Sequence, residues 1–287
     1  MKTREKITIY DTTLRDGSQS EGISFSLQDK VGIALKLDDL GVDYIEGGYP
    51  LSNPKDKNFF KEIRKNSLQN AKVAAFGSTK RANKKASEDP GIKALLLTEM
   101  TVVTIVAKSW DFHVTDVLKV SLDENLKMVS ETVEYLKSKG REVILDAEHF
   151  FDGYKNNSRY SLKVLKAAQN SGVDTIVLCD TNGGCLPQEV EKITGSVMGK
   201  KKVPLGIHTH NDGELAVANT IAAINSGARH VQGTINGLGE RCGNANLCSV
   251  IPNLVLKNKF KCLGNSELKK LTEISRYVNE VANFVPM

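Results

Sequence analysis

The chain has 287 residues, 40% of them hydrophobic and 25% charged, which is the composition of an ordinary soluble globular protein. Its formal net charge of +5 is modest and its lysines and arginines are scattered, which argues against a nucleic-acid site. We find no secretory signal and no apolar run long enough to span a membrane, so we expect a cytoplasmic protein without nucleic-acid or membrane partners.

Apolar, β-rich runs alternate along the chain with segments of helical periodicity. Strands are predicted at residues 7–11, 43–49, 72–78, 102–108, 142–150, 175–181, 204–210 and 230–237.

The intervening segments carry helix start and stop signals. SLQD from Ser26 and SLDE from Ser121 each resemble a capping box at a helix N-terminus. Several predicted helices end in a glycine that is followed at once by a strand, as expected for a left-handed residue after the last turn. These glycines are Gly41, Gly140, Gly172 and Gly227.

Strands that alternate with helices imply parallel crossover connections. A (β/α)8 TIM barrel is favoured over a doubly wound open sheet, because the units are regular and no G-x-G-x-x-G turn is found. Residues 1–262 are assigned to this barrel and 263–287 to a C-terminal helical extension. The amphipathic stretch from Ser266 either packs on the barrel or begins another module, such as a linker subdomain.

The seventh predicted strand ends in two histidines one residue apart. Side chains alternate along a strand, so His208 and His210 must share a face while Thr209 points to the other. A single strand-end histidine is most simply a hydrogen-bonded core residue, whereas such a pair indicates a common partner.

Barrel closure would place the last strand between the seventh and the first. Asp16, His208, His210 and the asparagine-rich loop that contains Asn244 would then converge. Two imidazoles, a carboxylate and an amide oxygen suit a divalent cation and leave positions for substrate, and Zn, Mn and Mg all remain candidates.

Other polar residues follow strand ends, where barrel enzymes place their chemistry. Arg15 could bind a carboxylate or an oxyanion through its fork of donors. Glu148, after the fifth strand, could orient a neighbouring group, act as a general base or simply be solvated. Thr181 ends the sixth strand.

Three motifs carry a family resemblance. DTTLRDGSQ, HTHND and NGLGERCGNANL together resemble the metal-dependent barrel family of 2-isopropylmalate, homocitrate and citramalate synthases, which includes hydroxymethylglutaryl-CoA lyase. IEGGYPLSNPKD, KSWDFHV, DAEHFFDGYKNN and VLCDTNGGCLP are similar to the citramalate synthase branch. The resemblance spans about residues 7–257.

The resemblance implies a Claisen-type condensation of acetyl-CoA with a 2-keto acid, pyruvate in the citramalate branch, on a route toward isoleucine. It implies Asp16, His208, His210 and Asn244 at the metal. It also implies that Arg15 steadies the keto oxygen, that Glu148 is the family's strand-5 glutamate, and that Thr181 binds the substrate carboxylate. We expect these two small-molecule partners and leave open whether the chain forms a homodimer.

The chain stops at Met287, whereas the synthases continue into a linker subdomain, which supplies a histidine, and a regulatory domain. We therefore expect metal binding to persist, with condensation and end-product inhibition depending on those parts. Four alternatives stay open: a 2-isopropylmalate- or homocitrate-type synthase, a CoA-thioester lyase, a metal hydrolase, and a metal-binding barrel without turnover. The hydrolase is disfavoured because its class usually carries H-x-H on the first strand.

Overall fold

The computed structural model describes residues 5–199 and 202–284. Eight parallel strands follow one another in chain order and close into a barrel, because β1 pairs with both β2 and β8. The predicted (β/α)8 barrel is confirmed and the open sheet is excluded. The strands are β1 Thr8–Asp11, β2 Tyr44–Gly48, β3 Lys72–Ser78, β4 Val102–Lys108, β5 Glu142–Glu148, β6 Thr175–Asp180, β7 Leu205–Thr209 and β8 His230–Gly233.

Helices cover the outside of the barrel and bury their apolar faces against it. They are α1 Leu27–Leu40, α2 Pro54–Ile63, α3 Pro90–Leu97, α4 Leu122–Ser138, α5 Phe150–Asn170, α6 Pro187–Met198, α7 Ala216–Asn225, α8 Leu247–Pro252, α9 Asn265–Leu268 and α10 Leu271–Val281. None of the helices within the described ranges combines the length and apolarity that crossing a bilayer requires.

Strands β7 and β8 end earlier than the sequence predicts. The loop after β8 folds back over them, so that His210 pairs with Asn244 and Thr234 with Asn246 in isolated bridges. Backbone groups that would have extended the parallel ladder are thus used by the returning loop. The predicted end of the eighth strand instead forms a short 3-10 turn at Ile235–Gly237.

The predicted helix signals are borne out with one exception. Ser26 forms the complete capping box with Asp29, and the four helix-ending glycines have φ between 71° and 109°. The capping box predicted at Ser121 forms only one of its two hydrogen bonds. Ser121 Oγ accepts from the Glu124 N–H at 3.1 Å, but within the described chain the Glu124 carboxylate makes no bond back to the Ser121 N–H.

The C-terminal stretch packs on the barrel and is divided into two helices rather than one. Helix α10 buries Leu271, Ile274 and Val278 and lies against α1. The contact is close, since a Cβ at Gly32 of α1 would lie 2.3 Å from the Tyr277 hydroxyl. The division of domains at residue 262 stays a prediction.

Candidate metal centre

Asp16, His208 and His210 meet at the carboxyl end of the barrel. Asp16 Oδ2 lies 3.4 Å from His208 Nε2, which lies 3.3 Å from His210 Nε2. One ligand atom from each of the three residues falls within 4.8 Å of the others, and each residue is at most 5% exposed. The three side chains therefore form a compact buried set of one oxygen and two nitrogen donors.

Barrel closure explains why residues so distant in sequence meet. Strand β8 pairs with β7 on one side and with β1 on the other, so the ends of β1 and β7 lie one strand apart. Thr209 points away from the site, as predicted, and its hydroxyl contacts the Ala216 carbonyl and the Thr220 hydroxyl at 3.0 and 2.9 Å.

The two imidazoles differ in their electrostatic surroundings. Burial lowers the pKa of His210 to about 3, with a further contribution from His208, so His210 is neutral at neutral pH. Burial acts in the same direction on His208, but the hydrogen bond to Asp16 and the negative charges of Asp16 and Asp146 together outweigh burial and raise the pKa of His208. Burial also disfavours the charged form of Asp16, yet Arg15 and the imidazoles hold the pKa of its carboxyl well below the ordinary range. A permanent carboxylate therefore faces two imidazoles.

Asn244 lies beside this group on the loop that returns from β8. Its backbone pairs with His210, and its side-chain amide donates to the Leu238 carbonyl at 3.3 Å. A Cβ at Gly239 would overlap Asn244 Nδ2, so a larger residue there would displace the Asn244 amide. Asn244 as a metal ligand stays a prediction.

The residues fit a divalent cation. Asp16 Oδ1 and Asn244 Oδ1 are buried and have no hydrogen-bond partner among the described residues. Buried polar atoms in native proteins are normally satisfied, so each such atom calls for a partner. Carboxylate and amide oxygens beside two imidazole nitrogens form the mixed donor set that divalent metals accept.

Arg15 is held on three sides. Its Nε donates to Glu46 Oε2 at 2.5 Å, its Nη1 lies 3.1 Å from Asp16 Oδ2, and its guanidinium carbon lies 4.1 Å from the centre of the Phe76 ring. Because the guanidinium has five N–H donors, it retains donors beyond those two contacts. Glu46, inside strand β2 and fully buried, is the anchor.

A cavity of about 230 Å³ opens beside these groups, and Arg15, Asp16, both histidines, Glu148 and Thr181 all line it. Glu148 pairs with Lys108 at the end of β4. Thr181 Oγ1 accepts the His149 N–H at 2.9 Å, which leaves its hydroxyl proton available to a ligand. The remaining wall includes Phe76, Val106, Asp146 and Cys179.

Two neighbouring motif residues, Arg241 and Asn236, hold loops in place and do not line the cavity. Arg241 holds the Asp212 carboxylate with two bonds of 2.8 and 2.9 Å and donates to the Thr181 carbonyl at 2.6 Å, so it ties together the loops after β6, β7 and β8. Asn236 points to α10, where its amide donates to the Ser275 carbonyl and to Asn279 Oδ1 at 2.8 and 2.7 Å.

The sequence analysis missed Glu46 and Gln232, both fully buried on inward-facing strand positions. Gln232 contacts His208, and Glu46 contacts Arg15. A charged or amide side chain inside an otherwise apolar strand was the available signal, but it does not reveal the partner.

The chain is also similar to known proteins. Residues 6–278 match the HMGL-like family. The chain is 60% identical over 280 residues to an (R)-citramalate synthase of Aquifex aeolicus, covering 97% of this chain and 53% of the relative. It is 56% identical over 280 residues to the (R)-citramalate synthase of Geobacter sulfurreducens, covering 98% and 53%.

Among solved structures, a Bacillus subtilis HMG-CoA lyase superposes with a TM-score of 0.82 at 19% identity, over 100% of this chain and 97% of that one. At this identity the likeness concerns the fold alone. The chain spans about half the length of these two (R)-citramalate synthases.

Proposed function

The chain belongs to the HMGL-like family, and from that premise we propose that it is the catalytic barrel of a citramalate synthase, condensing acetyl-CoA with pyruvate. The observation that carries the proposal is the single cavity shared by Arg15, Asp16, Glu148, Thr181 and the histidine pair, in a chain 60% identical to an (R)-citramalate synthase.

The reaction has a defined balance of atoms. A proton leaves the acetyl methyl group, and that carbon forms a bond to the ketone carbon of the 2-keto acid. The ketone oxygen takes up a proton. Water then cleaves the thioester and releases citramalate and CoA.

The cation site contributes one element of this chemistry. A divalent metal bound by Asp16, His208 and His210, with Asn244 adjacent, would polarise the keto-acid carbonyl as a Lewis acid. Zn, Mn and Mg remain candidates.

The protein's own groups have separate tasks. Arg15 lines the cavity and retains donors, which are suited to the keto oxygen as negative charge develops there. The Thr181 hydroxyl, whose oxygen already accepts from His149, donates to the substrate carboxylate. Glu148, at the cavity edge, is assigned the proton transfer from the acetyl methyl group.

Three further parts of the proposal rest on the family relationship and the sequence. They are a place in amino-acid biosynthesis toward isoleucine, a cytoplasmic location and a homodimer. The free state of the five cysteines is compatible with a reducing compartment.

The test is a thiol-release assay on the 287-residue chain, with acetyl-CoA and a panel of 2-keto acids, each with and without added divalent metal. Calorimetric binding of pyruvate is measured in parallel, because binding needs only the barrel. We expect metal-dependent pyruvate binding and metal-dependent CoA release with pyruvate above its longer homologues. His208→Ala should lose both.

The alternatives give other results. Preference for a larger keto acid would indicate a 2-isopropylmalate- or homocitrate-type synthase, and cleavage of a hydroxyacyl-CoA would indicate a lyase. Pyruvate binding without CoA release would indicate a metal-binding barrel without turnover. Undiminished activity in His208→Ala would overturn the site assignment.

A further inference from the structure

Gln232 is a buried polar residue that the proposed reaction leaves without a task. It lies on β8, is fully buried, and stands opposite His208 in the pairing of β7 with β8. An amide inside a barrel wall costs free energy unless both of its ends are hydrogen-bonded.

Both ends of the Gln232 side chain are satisfied. Its Oε1 lies 2.9 Å from His208 Nδ1, and its Nε2 donates to Asp146 Oδ1 at 2.9 Å. Asp146 is 4% exposed and lies on β5, so the three residues form a hydrogen-bonded chain across the barrel interior.

The hydrogen bonds of His208, Gln232 and Asp146 run in one direction. A glutamine accepts only through Oε1 and donates only through Nε2. With Nε2 directed at Asp146, Oε1 faces the imidazole and accepts the proton on Nδ1. Neutral His208 then carries its free lone pair on Nε2, the atom that faces Asp16 and His210.

The second histidine has no such support. His210 Nδ1 is buried and has no hydrogen-bond partner among the residues described. The site is therefore asymmetric: one imidazole is fixed in ring orientation and tautomer by its neighbours, and the other is free of that constraint.

We propose that Gln232, anchored by Asp146, is a positioning residue of the metal centre that holds His208 with its Nε2 lone pair directed at the cation. The inference rests on the metal site assigned above and adds residues that support its ligands. Groups that accept a hydrogen bond from a metal-bound imidazole fix its orientation and increase its basicity.

The test compares Zn²⁺ affinities, measured on the metal-free chain at neutral pH by competition with a chromophoric chelator. Gln232→Met keeps the length of the side chain but cannot accept from the imidazole, and we expect affinity to fall about 10- to 100-fold. Gln232→Glu keeps an acceptor for His208 and can share a proton with Asp146. Gln232→Glu should therefore lose less Zn²⁺ affinity, relative to the wild type, than Gln232→Met loses.

Thr209→Val is the matched control, because it removes a buried hydroxyl from the same strand whose partners are on α7. It should lower the free energy of unfolding without lowering Zn²⁺ affinity. Urea unfolding of every metal-free variant separates a loss of fold from a loss of affinity.

The outcomes distinguish the two proposals. Absence of Zn²⁺ binding by the wild type, or equal binding by His208→Ala, would overturn the metal centre and this inference with it. Binding that depends on His208 but is unchanged in Gln232→Met would overturn the inference alone. So would equal losses in Gln232→Met and Gln232→Glu, or an equal loss in Thr209→Val.

Discussion

Among individual residues, Arg15 both lines the cavity and pairs with a buried carboxylate. It neutralises Glu46, which is fully buried and also accepts from the Tyr10 hydroxyl at 2.7 Å. A buried ion pair adds little to stability as a pair, but removal of one partner leaves a charge in a medium of low polarity. Arg15, which lines the cavity, thus also stabilises the fold.

Arg15→Met should lower the free energy of unfolding of the metal-free protein by about 3–5 kcal/mol, because Glu46 loses its buried partner. The double variant Arg15→Met/Glu46→Gln should recover part of that loss, since it removes the unpaired Glu46 charge while Asp16 keeps His208 as its partner. Urea unfolding measures both. The exposed pair Lys270–Asp39 is the control, and Lys270→Met should change stability little. A double variant no more stable than Arg15→Met would contradict this account.

A second residue-scale effect concerns pH. His230, at the start of β8, is 3% exposed, and burial lowers its pKa to about 3 from an ordinary value of 6.5. Between these values the unfolded chain binds a proton that the folded protein does not, so folding becomes less favourable as pH falls. The Tyr10 and Tyr44 rings lie beside it, with centroids 5.3 and 6.0 Å away.

In His230→Phe, the decline in stability from pH 6.5 to 3 should be shallower than in the wild type by up to about 1.4 kcal/mol per pH unit. Denaturant titrations at several pH values measure the slope. Tyr44→Phe alters the same aromatic cluster but keeps the imidazole, so it should retain the wild-type slope. Identical slopes in His230→Phe and the wild type would show that His230 is not the group responsible.

Among the elements, helix α10 is joined to the loop that carries Asn244. Asn236, at the start of that loop, has φ of 61° and bonds to Ser275 and Asn279 of α10. The Ser275 hydroxyl in turn donates to Asn236 Oδ1 at 2.6 Å. The C-terminal helix is therefore linked through one side chain to the segment that leads to Asn244.

Asn236→Ala and Asn236→Gly should both lower stability and increase hydrogen exchange in α10, because both lose these bonds. The alanine variant should be less stable than the glycine variant by about 1 kcal/mol, since only glycine adopts positive φ without a steric penalty. Ser275→Ala removes one of the bonds and no backbone preference, and should have the smallest effect. Equal stabilities of the alanine and glycine variants would contradict the role of the backbone conformation.

The sequence predicts the elements well and their carboxyl ends less well. Strands β3 and β4 have the predicted bounds, whereas β7 and β8 are shorter because the loop after β8 folds back and bonds to their backbone groups. Asp16, His208 and His210 could be brought together from strand order alone. The pairing of Glu46 with Arg15 and of Gln232 with Asp146 could not, because it depends on strand register and on side-chain length.

At the scale of the whole molecule, the candidate metal centre joins the two ends of the fold. Asp16 follows the first strand, and the histidine pair ends the seventh. A cation bound to all three residues binds only the folded chain, so its binding free energy adds to the stability of the entire barrel.

A divalent metal at a free concentration 100-fold above its Kd should therefore raise the free energy of unfolding by about 2.7 kcal/mol. A chelator should reverse the gain. Global unfolding is followed by urea titration with circular dichroism, and His208→Ala is the control that should show no gain. Stabilisation of equal size in that variant would indicate that the metal binds elsewhere.

Strand β1 has its partner β8 more than two hundred residues further along the chain, as in the pairing of Thr8 with His230. A ribosome that has translated the first seven strands has already produced Asp16 and both histidines, but strand β8, which lies between β7 and β1, has not yet been made. The nascent polypeptide thus holds all three donors without the geometry to use them. The three donors can therefore be brought together only after the final β/α unit has been made.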